Sequence, residues 1–347
     1  MDRYIPKDFL HPLPVGLAVA TAVGLTAYAG VRRATKRRLA VAQQANTKFA
    51  PSSHTSSYVP VAIFVGGTAG IGRGMAEAFA KYTKGNAHII IIGRNEQAAR
   101  AIISSFPKPT AKGAKHEFVY CDARLMKNIE QTTKELLAKV QRINFLVLST
   151  MDASSFSKVD TEEGIEVKMA LIYYSRFKFT TDLAPALQMA RKNGEDAKVY
   201  YVAAPGWGKY INWEDLGLRK TYTFSTLRAQ IPLYQDIILQ ELAVRHRSLT
   251  FIHAGPGVVK TGLVSKASLH TRVFHQLLYF FYPWTKSYSE SGEFMLRALW
   301  ATADRPGVWS VDEYGNELPK GTIHVATEDE RRKLWEHTVE VTTVKSI

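Results

Sequence analysis

Glycines at 66, 70 and 72 follow an apolar run, Val61-Ala62-Ile63-Phe64-Val65, and precede a stretch of helical character from Arg73 to Lys84. That spacing suits phosphate binding rather than bond breaking. The first glycine permits a tight turn, the middle one lets backbone approach a pyrophosphate, and the last allows a helix to pack close to the strand. The N–H groups of the helix start, around Ile71, then face the phosphates, aided by the helix dipole. Gly93-Arg94-Asn95 closes the next apolar run. An acid there would hold the ribose hydroxyls of NAD. Arg94 instead offers a guanidinium that pairs bidentately with a 2′-phosphate, which favours NADP over the plainer role of a solvated turn arginine. Arg73 adds positive potential or simply faces solvent.

These groups need a scaffold, and the chain alternates strand-like and helical stretches from Val61 onward. Strands are expected at 61–66, 88–92, 116–121, 143–149, 198–204, 249–254 and about 322–325. Helices are expected at 71–84, 95–105, 125–141, 162–192, 222–247 and 287–303. Continuous apolar strands between helices predict an α/β fold, a doubly wound parallel sheet buried on both faces. Pro232 is expected to kink the fifth helix or start a new segment. The organisation expected is a hydrophobic anchor with basic flank at 1–38, a linker at 39–60, a Rossmann-type cofactor domain at 61–330 and a tail at 331–347.

In this order the landmarks resemble the short-chain dehydrogenase/reductase superfamily from about 60 to 325. Val65-Gly66-Gly67-Thr68-Ala69-Gly70-Ile71-Gly72 is similar to that family's Thr-Gly-x-x-x-Gly-x-Gly turn, with Val65 in place of threonine. The resemblance implies cofactor contacts at Gly66, Gly70, Ile71 and Gly72. Asp122, ending the third strand, matches an aspartate that accepts a hydrogen bond from the adenine amino group; capping the helix near Leu125 is its alternative. Pro256-Gly257-Val258-Val259-Lys260-Thr261 matches the family's turn after the sixth strand, where Val259 backbone and the Thr261 hydroxyl meet the nicotinamide end. Pro256 and Gly257 are also ordinary turn residues. His253 is expected to be a core imidazole and Cys121 a small core residue.

The chemistry implied is hydride transfer between nicotinamide and a carbonyl or alcohol. A tyrosine exchanges the proton, a lysine one helical turn later lowers its pKa, a serine polarises the substrate oxygen and an asparagine supports a water. The tyrosine position is Tyr222. The lysine position is Thr226, the serine position Ala204 and the asparagine position Ile172; Leu148-Ser149-Thr150-Met151 replaces Asn-Asn-Ala-Gly. Only the tyrosine survives, so a cofactor-binding protein without turnover stands as the alternative to an enzyme. A second match to Tyr-x-x-x-Lys, Tyr282 to Lys286, lies past the Pro-Gly turn and is read as chance. Leu269 to Trp284 places Val273, Phe274, Leu277, Leu278 and Phe281 on one helical face, which suits a cover for an apolar or lipid-like substrate, a surface resting on a membrane, or plain packing on its own domain.

The 347 residues, 46% apolar and 22% charged, fit one large α/β domain with extensions and exclude a disordered chain. The single cysteine excludes an intrachain disulfide and a cysteine-rich metal site; no metal is expected. Of the net charge of +14, the first fifty residues carry +6, from eight Lys/Arg against two acids. That excess suits anionic lipid or an anionic cofactor; no aromatic-interleaved basic repeat speaks for nucleic acid. Val15 to Val31 is uncharged, and Arg32, Arg33, Lys36, Arg37 and Arg38 follow. Seventeen helical residues span about 26 Å, slightly short of a hydrocarbon core of about 30 Å. The preferred reading is a single-pass membrane anchor through 13–31 with the cofactor domain on the cytosolic side. A signal cleaved near Ala27-Tyr28-Ala29 and an organelle targeting peptide are the alternatives, the latter disfavoured by Asp2 and Asp8. Helices 162–192 and 222–247 form dimer faces in the resembled family, which points to a homodimer unless the anchor replaces it.

Overall fold

Seven short runs rich in Val, Ile, Phe and Tyr line up as one all-parallel sheet in the order β3-β2-β1-β4-β5-β6-β9. The strands are β1 Val61–Val65, β2 His88–Gly93, β3 Lys115–Tyr120, β4 Phe145–Leu148, β5 Lys198–Val202, β6 Thr250–Ala254 and β9 Gly307–Val311. A two-residue pair, β7 Val259–Lys260 and β8 Lys286–Ser287, lies beside it. The computed structural model describes residues 15–51, 58–152, 157–261 and 285–344, with side chains from 22 on. The stretch 269–284, and Tyr282 with it, lies outside the described residues.

Every central strand is buried on both faces, and the pleat divides its side chains between two cores. Ile63, Ile90, Leu146, Val199 and Phe251 face α4 (Met126–Lys139), α6 (Ser175–Lys192) and α7 (Phe224–Arg245). Phe64, Ile91, Val147, Tyr200 and Ile252 face α2 (Gly70–Tyr82), α3 (Glu96–Ser104) and α8 (Tyr288–Arg297). Both cores form from alternate residues of the same strands, so a one-residue register slip exchanges them.

The structure corrects several expectations. The seventh strand is Gly307–Val311, paired to β6, and not 322–325. Val325 is exposed, and Gln240 binds the backbone on either side of it, at His324 O and Ala326 N. The stretch 331–347, read as a tail, contains most of α9 (Glu328–Thr342), which begins in a Thr327/Glu330 capping box and packs on α7. The linker expected at 39–60 is helical in its first half, because α1 (Val15–Phe49) continues without a break. Thr35, Ala42 and Asn46 of α1 are buried, and Asn46 Nδ2 donates to Glu293 O and Oε2, each at 2.9 Å. Among the described residues no helix is long and apolar enough to cross a membrane; the side chains of 13–21, part of the expected span, lie outside them. Pro232 sits inside a continuous α7. The fourth long helix starts as α5 (Val167–Met169), passes through a π turn at Ala170–Tyr174 and continues as α6.

Candidate active site

β1 stops at Val65, and the chain turns through Gly66 at φ +83° and Gly70 at φ +55° before α2 begins. Ala69 precedes the helix, and no side chain caps it. The first-turn N–H groups, which a helix leaves unpaired, are therefore available to an anion. Close packing explains the third glycine. A Cβ on Gly72 would lie 2.1 Å from Ser149 Oγ and 2.7 Å from Gly66 O. Ser149, just past β4, donates its hydroxyl to Val65 O at 3.0 Å and so ties the first and fourth strand ends together. Thr261 comes to the same place, since a Cβ on Gly70 would meet its methyl at 3.3 Å. Val259 lies beside it in β7. The turn, the uncapped helix start and Thr261 thus form the cradle that a pyrophosphate requires.

At the end of β2, Thr68, Arg94, Asn95 and Glu96 line an open groove of about 490 Å³. Asn95 caps α3 by accepting from Ala98 N at 3.0 Å, and Glu96 is paired with Arg100 at 2.5 Å. Arg94 is exposed and, among the described residues, in no ion pair within 4 Å. Asp122 is buried, and its carboxylate is gripped by Arg124 through both oxygens. Burial alone would raise this carboxyl, but the Arg124 hydrogen bonds outweigh it and hold it below the usual range. Asp122 does not cap α4. Glu163, far along the chain, does so by accepting from Met126 N at 2.6 Å and Lys127 N at 2.9 Å.

The catalytic end departs furthest from expectation. Thr223 is the N-cap of α7, and its hydroxyl accepts from Thr226 N at 2.9 Å while Thr226 Oγ1 accepts from Thr223 N at 2.7 Å. Tyr222 therefore precedes the helix, and residues 222 and 226 share no helical face. Asp215 fixes the approach by accepting from the backbone N–H groups of Arg219, Lys220 and Thr221 at 2.8 to 3.0 Å. A lysine does stand near Tyr222, from another element: Lys168 Nζ is 5.8 Å from the ring centre. Its charge is already paired with Glu166 at 3.2 Å, and both side chains are buried. The Tyr222 hydroxyl is buried without a hydrogen bond of good geometry among the described residues. Burial, and then the nearby Glu166 carboxylate, hold it well above the usual phenol range.

The remaining positions are occupied by other contacts. Ile172 lies in the π turn, and its carbonyl accepts from Gln235 Nε2 at 2.5 Å. Past Ala204, Gly206 N donates to Asp236 Oδ2 at 3.0 Å, and Asp236 Oδ1 is 2.7 Å from Nδ1 of the buried His253. Lys286 is buried against Glu313 at 3.2 Å. One turn below Ile172, the buried Arg176 donates to Thr150 O at 3.0 Å, while its Nε and Nη1 have no hydrogen-bond partner among the described residues. Burial pushes this guanidinium down to about 10. Ser149, Glu163, Lys168 and Arg176 were not foreseen as site residues. Only Ser149 carried a signal, its place in the stretch that replaces Asn-Asn-Ala-Gly.

Comparison with known proteins follows the same outline. The family described as short chain dehydrogenase matches residues 60–200. Oxidoreductase AN1596 of Emericella nidulans is 29% identical over 76% of this chain and 78% of its own length. Human polyprenol dehydrogenase is 27% identical over 83% of this chain and 86% of its own. Among solved structures, the 3-ketoacyl-(acyl-carrier-protein) reductase of Brucella melitensis, complexed with NADH, has a TM-score of 0.55 at 17% identity and covers 75% of this chain and 98% of that one.

Proposed function

The chain belongs to the short-chain dehydrogenase/reductase superfamily of oxidoreductases, and we propose that it is an NADP-dependent member acting on an apolar carbonyl or alcohol. The observation that carries this reading is Arg94, exposed in a groove at the end of β2 and outside any ion pair among the described residues. Glu96 shares the groove, but its charge is paired with Arg100. When bound, the nicotinamide supplies or receives the hydride. The chain's own residues orient the cofactor through the glycine turn and Thr261. Tyr222 holds its proton firmly and serves as a hydrogen-bonding acid of low strength. Much of the acceleration then comes from orientation.

An apolar substrate is supported by Met151 and Trp207, exposed on the loops after β4 and β5. The relative named polyprenol dehydrogenase points the same way. Residues 13–31 serve as the membrane anchor, with the cofactor domain on the cytosolic side; the exposed Arg33, Lys36 and Arg37 support that orientation. A second reading, nicotinamide binding without turnover, is favoured by one observation. The Thr226 hydroxyl at the lysine position is committed to a helix cap.

Calorimetry with NADPH and NADH, on the wild type and Arg94→Glu, tests the cofactor. NADPH is expected to bind more tightly and to lose about ten- to a hundredfold in the variant, the worth of a charge-assisted pair. Equal affinity for both dinucleotides overturns the assignment. NADPH oxidation against a panel of apolar carbonyl compounds, with Tyr222→Phe as control, separates enzyme from binding protein: tight binding with no compound reduced favours the second reading.

A further inference from the structure

α1 is not a tether. Arg32 Nη1 donates to Thr285 O at 3.1 Å and Nη2 reaches Glu290 at 3.4 Å. Glu290 is itself the capping-box partner of Ser287 at the start of α8. Thr285 leads directly into β8, which pairs with β7, the strand that carries Val259. The N-terminal helix is thus bolted to the strand pair beside the cofactor cradle. The start of α8 also abuts α2, where a Cβ on Gly74 would lie 2.2 Å from Tyr288 O. The Arg32 contact therefore sits at the same end of the molecule as the glycine turn.

From that point α1 runs outward. Residues 22–30 are all exposed, with Val23 at 64% and Leu25 at 65%. Met151 and Trp207, at 52% and 71%, lie on the loops that follow β4 and β5. In a parallel sheet those loops share one end, the end where Gly66 lies. Single exposed apolar side chains are ordinary; exposed ones from three separate segments at one end form a pattern. Arg33, Lys36 and Arg37 are exposed at i, i+3 and i+4 in the turn that follows the apolar ones. Such a basic face complements an anionic lipid surface.

We propose that the open end of the sheet rests on an anionic bilayer, and that α1, locked by Arg32, is the rigid strut that seats it there. A substrate dissolved in the bilayer then reaches the site without crossing water. The proposal rests on the anchor reading above.

The test uses the full chain and vesicles of phosphatidylcholine with phosphatidylserine. Flotation reports association, and brominated acyl chains quench tryptophans at the lipid surface. The Trp207 share is the emission lost in Trp207→Phe. The chain is expected to float, with the Trp207 share quenched by half or more. Arg32→Ala is expected to float equally and to lose most of that quenching. Omitting phosphatidylserine should weaken flotation at least threefold. Flotation with Trp207 unquenched overturns the seating while leaving the anchor intact, and wild-type quenching in Arg32→Ala overturns the strut. Equal flotation on neutral vesicles overturns the anionic requirement. A chain that does not float at all removes the anchor reading and this proposal with it.

Discussion

Gly72 and Arg176 show how single atoms set the properties of this site. A methyl on Gly72 would fall inside contact distance of Ser149 Oγ and of Gly66 O. Neither can retreat, because Ser149 is bonded to Val65 and Gly66 N donates to Ile92 O at 2.9 Å. Gly72→Ala is expected to cost on the order of 2 kcal/mol of stability, as overpacking does, and to weaken NADPH binding at least tenfold. Denaturant titration and calorimetry check the two together; an unchanged affinity contradicts the cradle. Arg176 behaves oppositely. It makes one hydrogen bond, worth about 1.5–3 kcal/mol for a charged donor, while an uncompensated buried charge costs several kcal/mol. The charge term wins, so Arg176→Met is expected to stabilise the fold by roughly 1 kcal/mol or more. A lower unfolding midpoint would show that the Thr150 contact matters more than the charge.

Local pattern and element boundaries diverge where polar contacts replace apolar ones. The Tyr222-to-Thr226 spacing assumed a helix already under way at 222. The capping box at Thr223 starts it at Phe224, two residues later, which puts Tyr222 on the approach rather than on the helix. The pattern Ser/Thr-x-x-Glu at Ser287 and Thr327 was readable as a pair of helix starts. α9 escaped notice because hydroxyls, not an apolar stripe, seat much of it. Thr338 Oγ1 bonds Tyr173 at 2.7 Å, and His337 bonds Tyr174 at 2.8 Å. Its apolar anchor is Leu334, fully buried. Leu334→Ala is expected to cost about 2–4 kcal/mol, measured by urea denaturation; a loss under 1 kcal/mol would mean that α9 is not integral. Within the chain, α9 packs on α7, α6 and the π turn.

Over the whole molecule, carboxylates held by hydrogen bonds shape the response to acid. Asp122 and Asp215 are both buried, which raises their carboxyls, but hydrogen bonds from Arg124 to the one, and from the Thr221 hydroxyl and the 219–221 backbone to the other, bring both below the usual range. A carboxyl lowered in the folded state stabilises above its unfolded value of about 3.9 and loses that contribution as pH falls through the folded value. Melting temperature is therefore expected to drop below about pH 4. Asp215→Asn should melt lower at neutral pH and show a shallower acid decline; an identical acid limb would remove Asp215 from the account.

The strand-and-helix alternation, the glycine turn and Arg94 were legible along the chain, because each depends on neighbours a few residues away. Period-2 and period-3.6 burial and the steric needs of a tight turn are local physics, and they specify a parallel sheet with a phosphate cradle. Other relationships join residues that no spacing connects: Ser149 with Gly72, Glu163 with the α4 start, Lys168 with Tyr222, Arg32 with Glu290. Each is a contact between elements whose relative placement follows from packing two cores around one sheet. Thr226 leaves the lysine place empty, while Lys168 comes to the Tyr222 ring from another element. Long-range packing has no periodicity for a sequence to display.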